Sequence, residues 1–208
     1  CIEEPLLYYR IHDRNFNLDW PRRRQTHFAM LDAFYHSGDL PPIALQMRDR
    51  AYANQHAYFA VLARQVGRGA DALAEFREAV KLNAELLNDL DFYMRIACAH
   101  QGRLDQGTVR NLDLALAAHA IIESLDALFA ESALPDAVRA RRRSAYGWAY
   151  LALGRLAYSL PHDMEQARRF LWQAFARWPT IAWRTDWLAW LMRSMVRYAT
   201  IHRIKEID

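Results

Sequence analysis

From Pro21 to about Arg203 the chain carries apolar residues at helical spacing, broken only by short punctuation. Apolar residues three and four places apart fall on one side of a helix, and that side must be buried against a neighbour. Trp20-Pro21 marks the first helix start, because proline's missing N–H costs nothing in a first turn. Phe28, Leu31 and Phe34-Tyr35 lay down its stripe, and Gly38 ends it. A second helix follows Pro41-Pro42 to about Val66, and Gly67-Arg68-Gly69 breaks the chain. Asp71 opens a third, with Leu73, Phe76, Val80 and Leu87 on one face. Further helices are expected from Asp91 to His100, from Thr108 to about Ala130, from Pro135 through Leu156, from Asp163 to Pro179, and from Ala182 to Arg203. Seven or eight helices with short links predict an all-α fold, an irregular array of antiparallel hairpins.

Composition narrows the alternatives. Over 208 residues, 53% are hydrophobic, which is material for a real core. Gly and Pro number only 7 each, which argues against a turn-rich sandwich or barrel. No apolar run approaches the ~18 residues needed to span a bilayer. The two cysteines, Cys1 and Cys98, form no motif, so a disulfide scaffold is excluded and a reducing compartment such as the cytoplasm is the simplest expectation. The net charge of +3 is carried almost entirely by arginine, Lys81 and Lys205 being the only lysines. That charge is too small to imply nucleic acid, and the basic residues are not interleaved with aromatic stacking platforms. The chain opens on Cys1 rather than Met, and we expect it to be a piece of a longer protein.

One pair of helices has a recognisable spacing. Leu151-x3-Arg155-x2-Tyr158-x8-Ala167-x3-Leu171-x2-Ala174-x4-Pro179 places small residues where two helices approach, large ones between them, and proline after the second. This resembles a tetratricopeptide repeat. Phe59-Ala60, Ala63, Ala72, Phe76 and Ala79 repeat the pattern more weakly, with Ala84 in place of the proline. The later copy lacks a turn glycine and has His162 there instead. Residues 88–135 fit no repeat.

The first 20 residues differ in texture. Pro5-Leu6-Leu7-Tyr8-Tyr9-Arg10-Ile11-His12 reads as a short strand or buried extended segment, and Asp13 to Asp19 as a loop. Residues 1–20 are therefore expected to end one domain and residues 21–208 to form another. Pro5, Leu6, Tyr9, Arg10, His12 and Asn15 resemble the run Pro-Leu-x2-Tyr-Arg-x-His-x2-Asn-x-Ser that closes the catalytic domain of many bacterial family-2 inverting glycosyltransferases, with Asn17 where Ser is usual. The resemblance implies a nucleotide-sugar-binding α/β domain upstream, with a divalent metal across the pyrophosphate and a carboxylate base for the acceptor hydroxyl. It places Arg10, His12 and Asn15 near the nucleotide diphosphate or its metal in the intact enzyme. No catalytic residue, metal site or cofactor is assigned to these 208 residues themselves.

Outside that loop the sequence offers surfaces rather than chemistry. There is no H-E-x-x-H, paired C-x-x-C, G-x-S-x-G or phosphate-cradling glycine loop, and the scattered histidines lack metal-ligand spacing. Glu75, Arg77, Glu78 and Lys81 read as a solvated helix face. Arg139, Arg141, Arg142 and Arg143 form the densest basic cluster, ahead of Arg22-Arg23-Arg24 and Arg168-Arg169, a surface for an anionic membrane face or glycan or a plain solvated helix. Trp183, Trp187 and Trp190 are spaced to share one helix face, expected in the core, with an interfacial or sugar-stacking helix as alternatives.

The resulting expectation is a non-catalytic C-terminal accessory module of a bacterial glycosyltransferase. It docks the enzyme to a protein partner, its acceptor or the inner face of the membrane, or it self-associates. The alternative is a stand-alone helical-repeat adaptor unrelated to sugars.

Overall fold

In a computed structural model of the chain, the residues described are 19–38, 40–101, 112–160 and 162–195, with only the backbone of Asp186. Among them every regular element is helical, as the periodicity predicts, and no strand occurs. The extended segment expected at 5–12 lies outside the described residues. The chain falls into two compact units, one up to Gln46 and one from Met47.

The first unit holds α1 (Trp20–Tyr35) and α2 (Pro42–Gln46). Asp19 caps α1 by accepting from the Arg22 N–H at 3.1 Å, and Pro21 sits in the first turn. The chain then turns at Met47, so the proline pair starts only a short helix. The single helix expected from Pro42 to Val66 is divided there.

The second unit runs through α3 (Arg48–Gln65), α4 (Gly69–Leu82), a 3-10 turn (Ala84–Asn88), α5 (Leu90–Cys98), α6 (Leu114–Phe129), α7 (Asp136–Arg139), α8 (Arg142–Ser159), α9 (Met164–Arg177), a second 3-10 turn (Pro179–Trp183) and α10 (Thr185–Met195). The hairpins α3/α4 and α8/α9 pack along their length. Small residues allow it. At Gly154 an added Cβ would lie 3.0 Å from Leu171 Cγ and 3.3 Å from the Ala167 carbonyl oxygen. At Gly147 it would lie 2.7 Å from Trp178 Cβ. Helix α8 is the hub, touched by α5, α6, α9 and α10. It buries Ala145, Ala149, Leu151, Ala152, Leu153 and Leu156 around its circumference, as a central helix must.

The elements repeat. Helices α1 and α6 have 16 residues each, α3 and α8 have 18, α4 and α9 have 14, and both 3-10 turns have 5. Asp113 caps α6 as Asp19 caps α1. Asn83 (φ −143°, ψ 93°) ends α4 as Trp178 (φ −143°, ψ 82°) ends α9. Arg68 N–H returns to the Ala63 carbonyl at 2.8 Å, and Asp163 N–H to the Ala157 carbonyl at 2.9 Å.

The sequence carries the same register. Asn17-Leu18-Asp19 recurs as Asn111-Leu112-Asp113, Leu31-Asp32-Ala33 as Leu125-Asp126-Ala127, and Leu40-Pro41 as Leu134-Pro135. Arg48-x2-Ala51-Tyr52 recurs as Arg142-x2-Ala145-Tyr146, and Leu62-Ala63 as Leu156-Ala157, all at one shift of 94 residues. After the α3/α4 turn the shift grows by one, and Ala72 and Ala79 match Ala167 and Ala174. Residues 19–98 and 113–193 thus repeat one order of helices and one sequence register. The repeat is therefore longer than the roughly 34 residues of a tetratricopeptide hairpin. The hairpin pattern seen at 151–179 and 59–84 is one part of it.

Candidate functional site

The arginine cluster at 139–143 is divided by the turn between α7 and α8. Arg139 donates from Nη2 to the Leu134 carbonyl at 3.0 Å and lies 3.7 Å from Asp136. Arg141 donates from Nη1 to the Ala137 carbonyl at 3.0 Å and forms an ion pair with Glu85 in the first 3-10 turn. Arg142 and Arg143, already on α8, point elsewhere. They line a groove of about 450 Å³ with Tyr146 and Tyr150 of α8, Ile122 and Asp126 of α6, and Arg177 at the end of α9. A hollow of about 530 Å³ adjoins it, sharing Ile122 and Asp126 and adding Ala118, His119, Glu123 and Ala127.

Aromatic rings and one carboxylate hold the groove's shape. The Tyr146 hydroxyl donates to Asp126 Oδ1. Burial, and then that hydrogen bond, raise the Tyr146 pKa, so the phenol keeps its proton. Arg177 lies 5.7 Å over the Tyr146 ring, and Arg142 lies 5.7 Å over Phe129. Tyr150 stacks on Phe170 of α9 at 6.4 Å. None of Arg142, Arg143 and Arg177 forms an ion pair with another described residue. The groove thus presents three guanidinium forks, which suit carboxylate or phosphate oxygens. Sequence spacing singled out Arg142 and Arg143 but missed Arg177, Tyr146, Tyr150 and Asp126. The recurrence of Asp32 and Tyr52 as Asp126 and Tyr146 was the available signal.

A second polar cluster joins α3, the end of α5 and α6. Arg64 is 5% exposed and donates to Ser124 Oγ at 2.9 Å and to His100 Nε2 at 3.3 Å, with Glu123 at 3.7 Å. Ser124 gives its own proton to the Ala120 carbonyl at 2.8 Å. The Ser124 hydroxyl and the His100 imidazole both face Arg64, so this is a structural clamp and not a nucleophile–base pair.

Two other expectations are corrected by burial. Glu75 is not on a solvated face: it is 4% exposed and meets His56 Nδ1 at 2.7 Å across the α3/α4 hairpin. Its neighbours Arg77 and Lys81 reach Glu131 at 2.9 and 3.2 Å. The tryptophans do not share one face. Trp187 is buried and donates from Nε1 to the Leu171 carbonyl at 2.9 Å, and Trp190 is half-buried against Tyr158. Trp183 belongs to the 3-10 turn, because α10 begins only at Thr185, and it is 89% exposed.

Arg10, His12 and Asn15 lie outside the described residues. Among the described residues no group of three His, Cys, Asp or Glu could hold a metal ion. No described helix is long and apolar enough to cross a membrane. Comparison with protein-family models, curated proteins and solved structures finds no match to this chain.

Proposed function

We propose that the helical region is a docking module of a bacterial, cytoplasmic, nucleotide-sugar-dependent glycosyltransferase, whose catalytic domain precedes it and ends in the Tyr9-Arg10-x-His12-x2-Asn15 loop. The observation that carries the docking role is the repeated order of helices: the α3/α4 and α8/α9 hairpins are joined through α5, α6 and the first 3-10 turn, and helical arrays built from repeated units use their side surfaces to hold partners. The resemblance at residues 5–15 supports the enzymatic context. In that context Arg10, His12 and Asn15 approach the nucleotide diphosphate, and the divalent metal and the nucleotide sugar belong to the upstream domain. The module brings the enzyme to a protein partner and leaves the chemistry to that domain.

Two experiments test this. The purified 208-residue chain, given nucleotide sugars and a divalent metal, is expected to show no hydrolysis or transfer. Turnover that tracks the protein through purification contradicts the docking role. In the intact enzyme, deletion of residues 47–208 is expected to preserve transfer to a small soluble acceptor while abolishing co-isolation with the partner. Preserved co-isolation contradicts it as well.

A further inference from the structure

The two copies act as controls for each other. Some groove positions are shared between the copies: Asp126, Arg142 and Tyr146 recur from Asp32, Arg48 and Tyr52. Of the groove positions that differ, two change formal charge and both become more positive, while Ile122 stands where the first copy has Phe28. Arg143 stands where the first copy has Asp49, Arg177 where it has Leu82, and Tyr150 where it has His56. Replacing Asp by Arg adds two positive charges and replacing Leu by Arg adds one, all at the mouth of one groove. Neither Arg143 nor Arg177 helps the fold through an ion pair among the described residues.

Resting on the docking reading above, we propose that the groove between α6, α8 and α9 binds an acidic segment of a partner protein. Its carboxylates engage Arg142, Arg143 and Arg177, and the apolar side chains between them lie against Ile122 and the adjoining Ala118 and Ala127. Charge complementarity favours an anion, and two observations favour carboxylates over phosphate. Asp126 lines the groove, and its carboxylate repels a phosphate dianion more than a single carboxylate. The adjoining hollow is lined by alanine and isoleucine as well as His119 and Glu123, a mixed surface suited to a peptide. A single exposed ion pair is worth little, so the three guanidiniums act as a set.

The test is fluorescence anisotropy on the full 208-residue chain, using a labelled Glu-rich peptide with leucines between the glutamates, and its Gln counterpart. The Glu peptide is expected to bind, the Gln peptide not, and binding is expected to weaken as salt rises. The double variant Arg143→Asp, Arg177→Leu carries the first copy's residues and is expected to melt like the parent chain while losing about tenfold or more in affinity. Arg139→Ala, outside the groove, is expected to leave binding unchanged. Absence of Glu-peptide binding overturns the proposal, as does equal binding by the double variant. Binding of phosphatidylglycerol vesicles or inorganic phosphate, lost in the double variant while the Glu peptide is ignored, also overturns it and assigns the groove to phosphate. If the intact enzyme carrying the double variant still co-isolates its partner, the groove proposal fails while the docking reading stands. If deletion of residues 47–208 does not affect co-isolation, the docking reading itself fails.

Discussion

His162 holds a left-handed backbone conformation, φ 54°, at the turn where the first copy places Gly67, φ 76°. The two turns close with the same return hydrogen bonds to Ala63 and Ala157. Only glycine adopts that region without penalty, and an L-residue there costs about 1 kcal/mol or more. His162 offsets part of this with Nδ1 at 2.9 Å from the Tyr158 carbonyl at the end of α8.

The duplication therefore makes a paired prediction. Beyond Gly67 and its chain neighbours nothing lies within 4 Å of a Cβ built there, so Gly67→Ala tests conformation without a clash. It is expected to destabilise the chain by about 1 kcal/mol, and His162→Gly to stabilise it by up to about 1 kcal/mol. Urea midpoints check both; equal stability of the parent and Gly67→Ala would sink the shared-turn account.

The His56–Glu75 pair occupies the place that Tyr150 and Phe170 hold in the second copy. One hairpin is joined by a buried polar pair, the other by stacked rings. Removing one member of a buried hydrogen-bonded pair leaves the other unsatisfied and costs about 1–3 kcal/mol, and exchange of the whole pair costs much less. His56→Tyr and Glu75→Phe are each expected to destabilise, and the double variant to recover a coupling energy of about 1 kcal/mol or more. Additive losses in a double-mutant cycle would contradict this.

Trp187 and Trp183 separate core from surface within one short stretch. Trp187→Ala removes a side chain buried against α9 and its hydrogen bond to Leu171, and is expected to cost about 3–5 kcal/mol. Trp183→Ala is expected to stay within about 0.5 kcal/mol of the parent. Thermal melts of the two variants check the contrast, and similar losses at both sites would contradict it.

His100 gives the pH dependence a sign. Burial and then the Arg64 charge hold its pKa below the ordinary histidine value, with Glu123 opposing. The unfolded chain therefore binds the proton more readily, so stability rises with pH through the window below about 6.5 and is lost as pH falls through it. His100→Gln is expected to flatten that part of the curve. Urea titrations between about pH 5 and 7.5 check it, and an unchanged slope in the variant would rule His100 out.

The helical layout was legible because its signals are local. Asp163 caps α9 through the Gln166 N–H, Pro179 follows its end, and Gly67 breaks α3 from α4, all within a few residues of the feature they cause. What depended on distant packing was not legible. The burial of Glu75 is set by His56, 19 residues earlier on another helix, so its charge-rich neighbourhood read as solvated. The Trp183 error came from a helix start: the face argument holds only within one helix, and α10 begins two residues later. The division of the arginine cluster needed the turn before α8, which sorts Arg139 and Arg141 from Arg142 and Arg143. The duplication itself left only sparse motifs, because buried as well as exposed positions diverged, as Glu75 and Phe170 did, while the capping aspartates and several small interface residues stayed.

The most direct test of the central claim is the coding sequence immediately upstream of Cys1. An in-frame α/β domain with an Asp-x-Asp-like motif is the expected result, and it makes Arg10, His12 and Asn15 testable neighbours of the nucleotide sugar. A start codon close to Cys1 with no such domain would contradict the account and leave a helical-repeat adaptor with no link to sugar transfer.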